Sequence, residues 1–283
     1  MVNLDLRSLY QPVGIIRIVE VILTCICFSL VASAGYKTST YWAWCMFTWC
    51  FCCFFSFFIL ILEFTRLSAK VPISWDDFTT AFAMLATLLC FTSSIIYPTF
   101  FTCSNCYLQI AATVISLLAF GLYTGEVVLA RLRPGEISGF LSTVPGVLKI
   151  LETWVACIIF TSLDPTRFSK HPGLQWCVAV YCLCFIFALV IIILTVGQLL
   201  SLFPFSFDKL FTVYNVMASM MYATAVVIWP LYAFEHNPRP AQCSHCPWDN
   251  LVVITFMTVI NLLIYILDTV YSIKLVFFTS NED

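Results

Sequence analysis

Eight stretches of about 20 apolar residues, almost free of charge, fix what this chain can become, because that is the length a helix needs to cross the hydrocarbon of a bilayer. They run roughly Val13–Gly35, Ala43–Phe64, Phe78–Tyr97, Leu108–Ala130, Val147–Leu163, Gln175–Leu200, Leu210–Tyr232 and Asn250–Phe277. Breakers stand between them: Pro72, Pro98, Pro134-Gly135, Pro172-Gly173, Pro204 and Pro238. Of the 283 residues 61% are hydrophobic and only 10% charged, against about a quarter in a typical soluble domain. The mean hydropathy of +0.98 also names the bilayer as the main solvent. The fold class that follows is all-α integral membrane, with eight transmembrane helices. A net charge of −2 gives no field that would recruit nucleic acid.

Lysine and arginine set the expected orientation, since they accumulate in cytoplasmic loops. Arg7, Arg17, Arg66, Lys70, Arg131, Arg133, Lys149, Lys209 and Lys274 fall on one side, and Lys37, Arg167, Lys170 and Arg239 on the other. Both termini belong to the richer side and are expected in the cytoplasm, as an even number of spans requires. Asp5 and Arg7 lead into an apolar stretch long enough to stay in the membrane, so a cleaved signal peptide is not expected. Val2 and the ending Asn281-Glu282-Asp283 match no lipidation motif, and no Asn-x-Ser/Thr sequon occurs.

The two halves repeat in one constant register. Gly14, Arg17, Glu20, Cys25 and Phe28 map to Gly146, Lys149, Glu152, Cys157 and Phe160. Trp44, Cys45, Cys50 and Cys52 map to Trp176, Cys177, Cys182 and Cys184, and Pro98 to Pro230. In the last helix the register shifts, so that Tyr123 and Glu126 meet Tyr265 and Asp268. The expected organisation is a four-helix unit at 1–132, a cytoplasmic connector at 133–146 and a second four-helix unit at 147–283. Each unit has an even number of spans, so the repeats are parallel, unlike the inverted repeats common in alternating-access transporters.

Ionisable groups within hydrocarbon are costly and therefore candidates for function. Glu20, Glu63, Glu126, Glu152 and Asp268 all fall near the cytoplasmic ends of their spans. Arg17 precedes Glu20 by three residues, Lys149 precedes Glu152 by three, and Arg66 follows Glu63 by three. That spacing puts each pair on one helix face and predicts three structural ion pairs, with Glu126 and Asp268 as further membrane acids. The outer half of every span carries no charge, and an ion relay would need polar steps across the full thickness. The acidic layer therefore reads as a lock between helices, with a channel or transporter as the competing reading.

Most of the 15 cysteines lie mid-membrane as small packing residues or weak donors. Cys103-Ser104-Asn105-Cys106 and Cys243-Ser244-His245-Cys246 instead occupy equivalent outer loops. That side is oxidising, which makes the four cysteines disulfide candidates with connectivity open. A zinc site on Cys243, His245 and Cys246, with His236 nearby, would need a fourth ligand at ordered spacing. A thiol-redox centre lacks a cofactor pocket or shuttle pair.

Tryptophans 42, 44, 75, 176, 229 and 248 form an expected interfacial belt. The ring-rich run with Phe51, Phe54, Phe55, Phe57 and Phe58 presents bulk suited to lipid. Sterol-type patterns at Arg7-Tyr10-Val13, Lys209-Phe211-Val213 and Leu267-Tyr271-Lys274 are weak signals. No Walker loop, dinucleotide fingerprint, HExxH or GxSxG occurs, and the loops are too short for a soluble catalytic domain. No enzyme, cofactor or metal is expected. The loop 131–146 is the best candidate for docking a partner.

The stretches MFTWCFC (46–52), SIIYPT (94–99), RPGEISGFLSTVPGVLKILETWVACIIF (133–160), LQWCVAVYCLCFI (174–186) and WPLY (229–232) resemble the myeloid-associated differentiation marker family. The resemblance implies two tandem MARVEL domains, each a four-helix membrane unit. It further implies a plasma-membrane protein that organises cholesterol-rich membrane, trafficking or cell contacts, with lipids and other membrane or cortical proteins as partners. The channel and thiol-redox readings stand as alternatives.

Overall fold

A computed structural model describes residues 10–132 apart from 72 and 104, residues 143–235 apart from 170, 198 and 200–206, and residues 237 and 247–279. Among these there are eight helices long and apolar enough to cross a membrane, and no strand. They are α1 (Pro12–Ser33), α2 (Thr40–Phe64), α3 (Trp75–Phe101), α4 (Tyr107–Leu132), α5 (Val144–Ser162), α6 (Pro172–Val196), α7 (Phe207–Glu235) and α8 (Pro247–Thr279). The chain divides into two compact units, Met1–Ser142 and Thr143–Asp283.

Local chemistry sets the helix ends. Pro12, Pro145 and Pro172 sit in first turns, where a missing N–H costs no hydrogen bond. Thr143 caps α5 by accepting from the Gly146 amide at 3.5 Å. The second unit thus begins at the cap of α5, and the last residues of the expected connector are helical. After α1 the chain turns through Gly35 at φ +100°, a left-handed conformation that glycine adopts without strain. Pro98 proves not to be a breaker. The helix α3 runs through it to Phe101, and α7 likewise runs through Pro230. Each proline withholds one amide donor from the carbonyl four residues before it, and the helix continues past it all the same.

In each unit the four helices form a ring. α1 packs on α2 and α4, and α3 packs on α2 and α4; α5 packs on α6 and α8, and α7 packs on α6 and α8. This is the up-down bundle that short connections favour. The inward face of α1 is mostly small or polar. In α1 the buried residues are Gly14, Arg17, Glu20, Thr24, Cys27 and Val31, recurring every three or four positions along one stripe. Its exposed residues include Ile15, Ile18, Ile22 and Ile26. This inverts the pattern of a soluble helix, because hydrocarbon solvates isoleucine as well as a protein core does and leaves packing and hydrogen bonds to hold helices together.

Aromatic rings fill the centres. The first unit packs Phe82 and Tyr123 with Cys52, Ile59, Ala86 and Cys90. The second packs Tyr181, Tyr222, Trp229 and Tyr265 with Val155, Cys184 and Ile254. Trp229 is therefore a core residue and not part of the interfacial belt; its indole donates to the Leu251 carbonyl at 3.4 Å. Along α2, Phe54, Phe57 and Phe58 face outward.

Candidate functional site: a buried charged cluster in each unit

Arg17 is the only cation on the buried stripe of α1. A guanidinium carries donors in a rigid fork, so one arginine can serve carboxylates on different helices. Its Nη1 donates to Glu63 Oε1 on α2, and its Nε donates to Glu126 Oε1 on α4 at 2.6 Å. Trp75, in the first turn of α3, donates its indole N–H to the same Glu63 oxygen at 3.0 Å. One cluster thus ties all four helices at the end of the bundle where α1 begins and α4 finishes.

The expected pair Arg17–Glu20 is not what forms. Arg17 reaches across the bundle, and both carboxyl oxygens of Glu20 are buried without a donor. The Glu20 carboxyl lies instead within hydrogen-bonding reach of Glu126. Spacing by three aligns two side chains on one helix face, but here a neighbouring helix offers acids that the arginine fork can bridge. The premise for Glu63–Arg66 also fails. Helix α2 ends at Phe64, and Arg66 lies beyond it at φ +53°, exposed and out of register with the helix face. Glu63 is held by Arg17 and Trp75.

In the second unit Lys149 donates to Glu152 Oε2 at 2.7 Å, the spacing-by-three pair. It also donates to Asn215 Oδ1 on α7 at 2.7 Å. Its Nζ lies 2.7 Å from Asp268 Oδ2 on α8, a charge contact whose angle falls outside hydrogen-bond geometry. The ammonium sits over the rings of Tyr214 and Tyr265, at 5.0 and 5.1 Å from their centroids. Asn215 passes its amide on to Ser272 at 3.0 Å. Glu152 Oε1 and both carboxyl oxygens of Asp268 remain without a hydrogen-bond donor. Sequence reasoning misses Tyr214 and Asn215. The available signal was an asparagine within an apolar span.

Uncharged polar contacts continue along both interiors. Ser56 and Tyr123 share a hydrogen bond of 2.8 Å, Trp49 donates to Ser116 at 3.1 Å, and Ser94 meets Ser116 at 2.8 Å. Tyr181 meets Thr258 at 2.8 Å, and Asn261 donates to Tyr222 at 2.7 Å. The expectation that the interior lacks polar steps beyond the acidic layer is thus corrected: hydroxyls and amides were hidden among apolar letters.

Cys103 and Cys106 form a disulfide in the turn between α3 and α4, with Cα atoms 5.1 Å apart. Cys243, Cys246, His236 and His245 lie outside the described residues, as do 133–142 of the proposed docking loop. Among the described residues no group of three His, Cys, Asp or Glu side chains is placed to hold a metal ion.

The membrane-associating domain, MARVEL, matches this chain twice, at residues 8–129 and 140–271. The chain is 42% identical to the myeloid-associated differentiation marker homolog of Xenopus laevis over 292 residues, covering 96% of this chain and 95% of that protein. It is 42% identical to the Homo sapiens myeloid-associated differentiation marker over 290 residues, 96% of this chain and 90% of that protein. It is 39% identical to the Homo sapiens myeloid-associated differentiation marker-like protein 2 over 294 residues, 98% of this chain and 96% of that protein. No solved structure matches.

Proposed function

The chain belongs to the myeloid-associated differentiation marker family and carries two MARVEL domains, and on that basis we propose that it is a non-enzymatic organiser of cholesterol-rich plasma membrane, with both termini in the cytoplasm. One observation carries this reading. The buried cations bind helix to helix, Arg17 joining Glu63 and Glu126 and Lys149 joining Asn215 and Asp268. The surface offered to the surroundings is apolar and ring-rich, with Phe54, Phe57 and Phe58 exposed on α2. A scaffold of this kind acts through the lipids and membrane proteins that its outer faces accept.

The test is phase preference. The full chain, fluorescently labelled, is followed in giant plasma-membrane vesicles that separate into ordered and disordered phases. Enrichment in the ordered phase is expected, together with its loss when cholesterol is extracted. The triple change Phe54→Leu, Phe57→Leu and Phe58→Leu keeps the face apolar and removes the rings, and is expected to weaken the enrichment. A wild-type chain confined to the disordered phase would overturn the reading.

A further inference from the structure

We propose that each unit is a proton-binding site, with one proton held between a carboxyl on its first helix and a carboxyl on its last. In the first unit these are Glu20 and Glu126, and in the second Glu152 and Asp268. Nothing in the organiser reading requires this property.

The argument begins with a count of charges. The first cluster sets three carboxyls, Glu20, Glu63 and Glu126, against one guanidinium, Arg17. The second sets two, Glu152 and Asp268, against one ammonium, Lys149. Among the described residues, the remaining titratable groups facing the first cluster are Cys52 on α2, Cys90 on α3 and Tyr123 on α4, and none is a cation. Facing the second, likewise among the described residues, are Cys184 on α6, Tyr214 on α7 and Tyr265 on α8, again with no cation. Both clusters therefore hold an excess of acid where water is excluded, and an unpaired carboxylate there is strongly disfavoured.

The atoms left without donors say where the proton goes. Glu20 is fully buried, and neither of its oxygens meets a donor. Glu126 uses Oε1 for Arg17, and its Oε2 is also without one. A proton on Glu20 converts this contact between two acceptors into an O–H···O⁻ hydrogen bond onto Glu126 Oε2. In the second unit Lys149 takes Glu152 Oε2 and approaches Asp268 Oδ2 as a charge contact, and the donorless atoms are Glu152 Oε1 and both oxygens of Asp268. One proton between the two carboxyls gives Glu152 Oε1 a hydrogen-bond partner on Asp268. Glu63 is partly exposed and accepts from Arg17 and Trp75. The same solution arises in both repeats although one uses arginine and the other lysine, and it joins the first helix to the last in each.

Infrared spectroscopy of the full chain in phosphatidylcholine nanodiscs tests this. A protonated-carboxyl C=O band is expected at neutral pH, where solvent-exposed acids are ionised. Glu20→Gln and Glu152→Gln should each remove about half of it, and the double variant all of it. Gln can accept from Lys149 and donate to the facing carboxyl, so helical content and melting temperature should stay close to wild type. If Glu152→Gln fails to fold, Asp268→Asn takes its place, and Glu20→Gln alone still reads the first unit. Absence of the band in the wild-type chain, or its persistence at full intensity in Glu20→Gln, overturns the proposal.

Discussion

Removing Arg17 should damage the first unit far more than removing Glu20, although both are buried charged side chains on one helix stripe. Arg17→Gln strands Glu126, whose side chain is 4% exposed, and Glu63, at 21%. Breaking a buried ion pair by deleting one partner costs about 3–5 kcal/mol. A second limit comes from proton uptake: a carboxyl with an ordinary pKa near 4.3 can be neutralised at pH 7 for about 4 kcal/mol. Glu63 can turn toward water, so Glu126 carries most of the loss, and the expected total stays within that 3–5 kcal/mol range. At pH 5 the same neutralisation costs only about 1 kcal/mol, so the deficit should shrink. Glu20→Gln removes no ion pair and should cost less than about 1 kcal/mol. Replacing the cluster as a whole, with Arg17→Met, Glu63→Gln and Glu126→Gln together, should recover part of the loss because no charge is stranded.

Unfolding of the purified chain in mixed micelles, measured at pH 7 and pH 5, gives these differences directly. Equal damage from Glu20→Gln and Arg17→Gln would refute the reasoning, since it would mean that Arg17 depends on Glu20. A deficit for Arg17→Gln that is unchanged at pH 5 would also count against it.

Lys149→Arg should not be conservative: the ammonium is enclosed by Glu152, Asn215, Asp268 and two tyrosine rings, and the larger guanidinium should cost about 1–3 kcal/mol by overpacking in the same unfolding assay. Cys103 and Cys106 should resist alkylation until a reductant is added, as read by mass spectrometry; Cys243 and Cys246, in the equivalent loop, are expected to behave alike, and free thiols at all four positions would reject an oxidising exterior there. An epitope placed within 133–142 should be labelled only after permeabilisation, and labelling of intact cells would reverse the proposed orientation.

Much of the fold is legible because hydrophobic length is a coarse and robust signal. All eight spans correspond to helices in the structure. The errors lie at the ends, where local rules conflict. Pro98 reads as a breaker, yet it removes only its own amide donor, and α3 continues through it to Phe101. The sequence reading starts the fifth span at Val147, whereas Thr143 and Pro145 form a capped start at Val144. Trp229 looks like an interfacial anchor by its position near the end of a span, but its place on the inward face of α7 can be known only once the helix rotation is fixed.

The charged residues of the clusters are legible as candidates, but their pairings are not. A rule for neighbours three apart describes exposed helices, where nothing competes with the residue one turn away. Within a bundle the competition comes from other helices, and Arg17 is bridged between α2 and α4 while Glu20 is left to Glu126. For Lys149 and Glu152 the local pair survives because a lysine has no fork to span two distant carboxylates, and α8 brings Asp268 to it. The repeat did contain the missing information. Glu126 matches Asp268 only in the shifted register of the last helix, and an acid kept at that depth in both units needs a partner there. Among the described residues, the cation that meets that acid in each unit is on the first helix, Arg17 or Lys149. Closure of each ring between its first and last helices follows from that match, and so does the surplus of acid that a shared proton would settle.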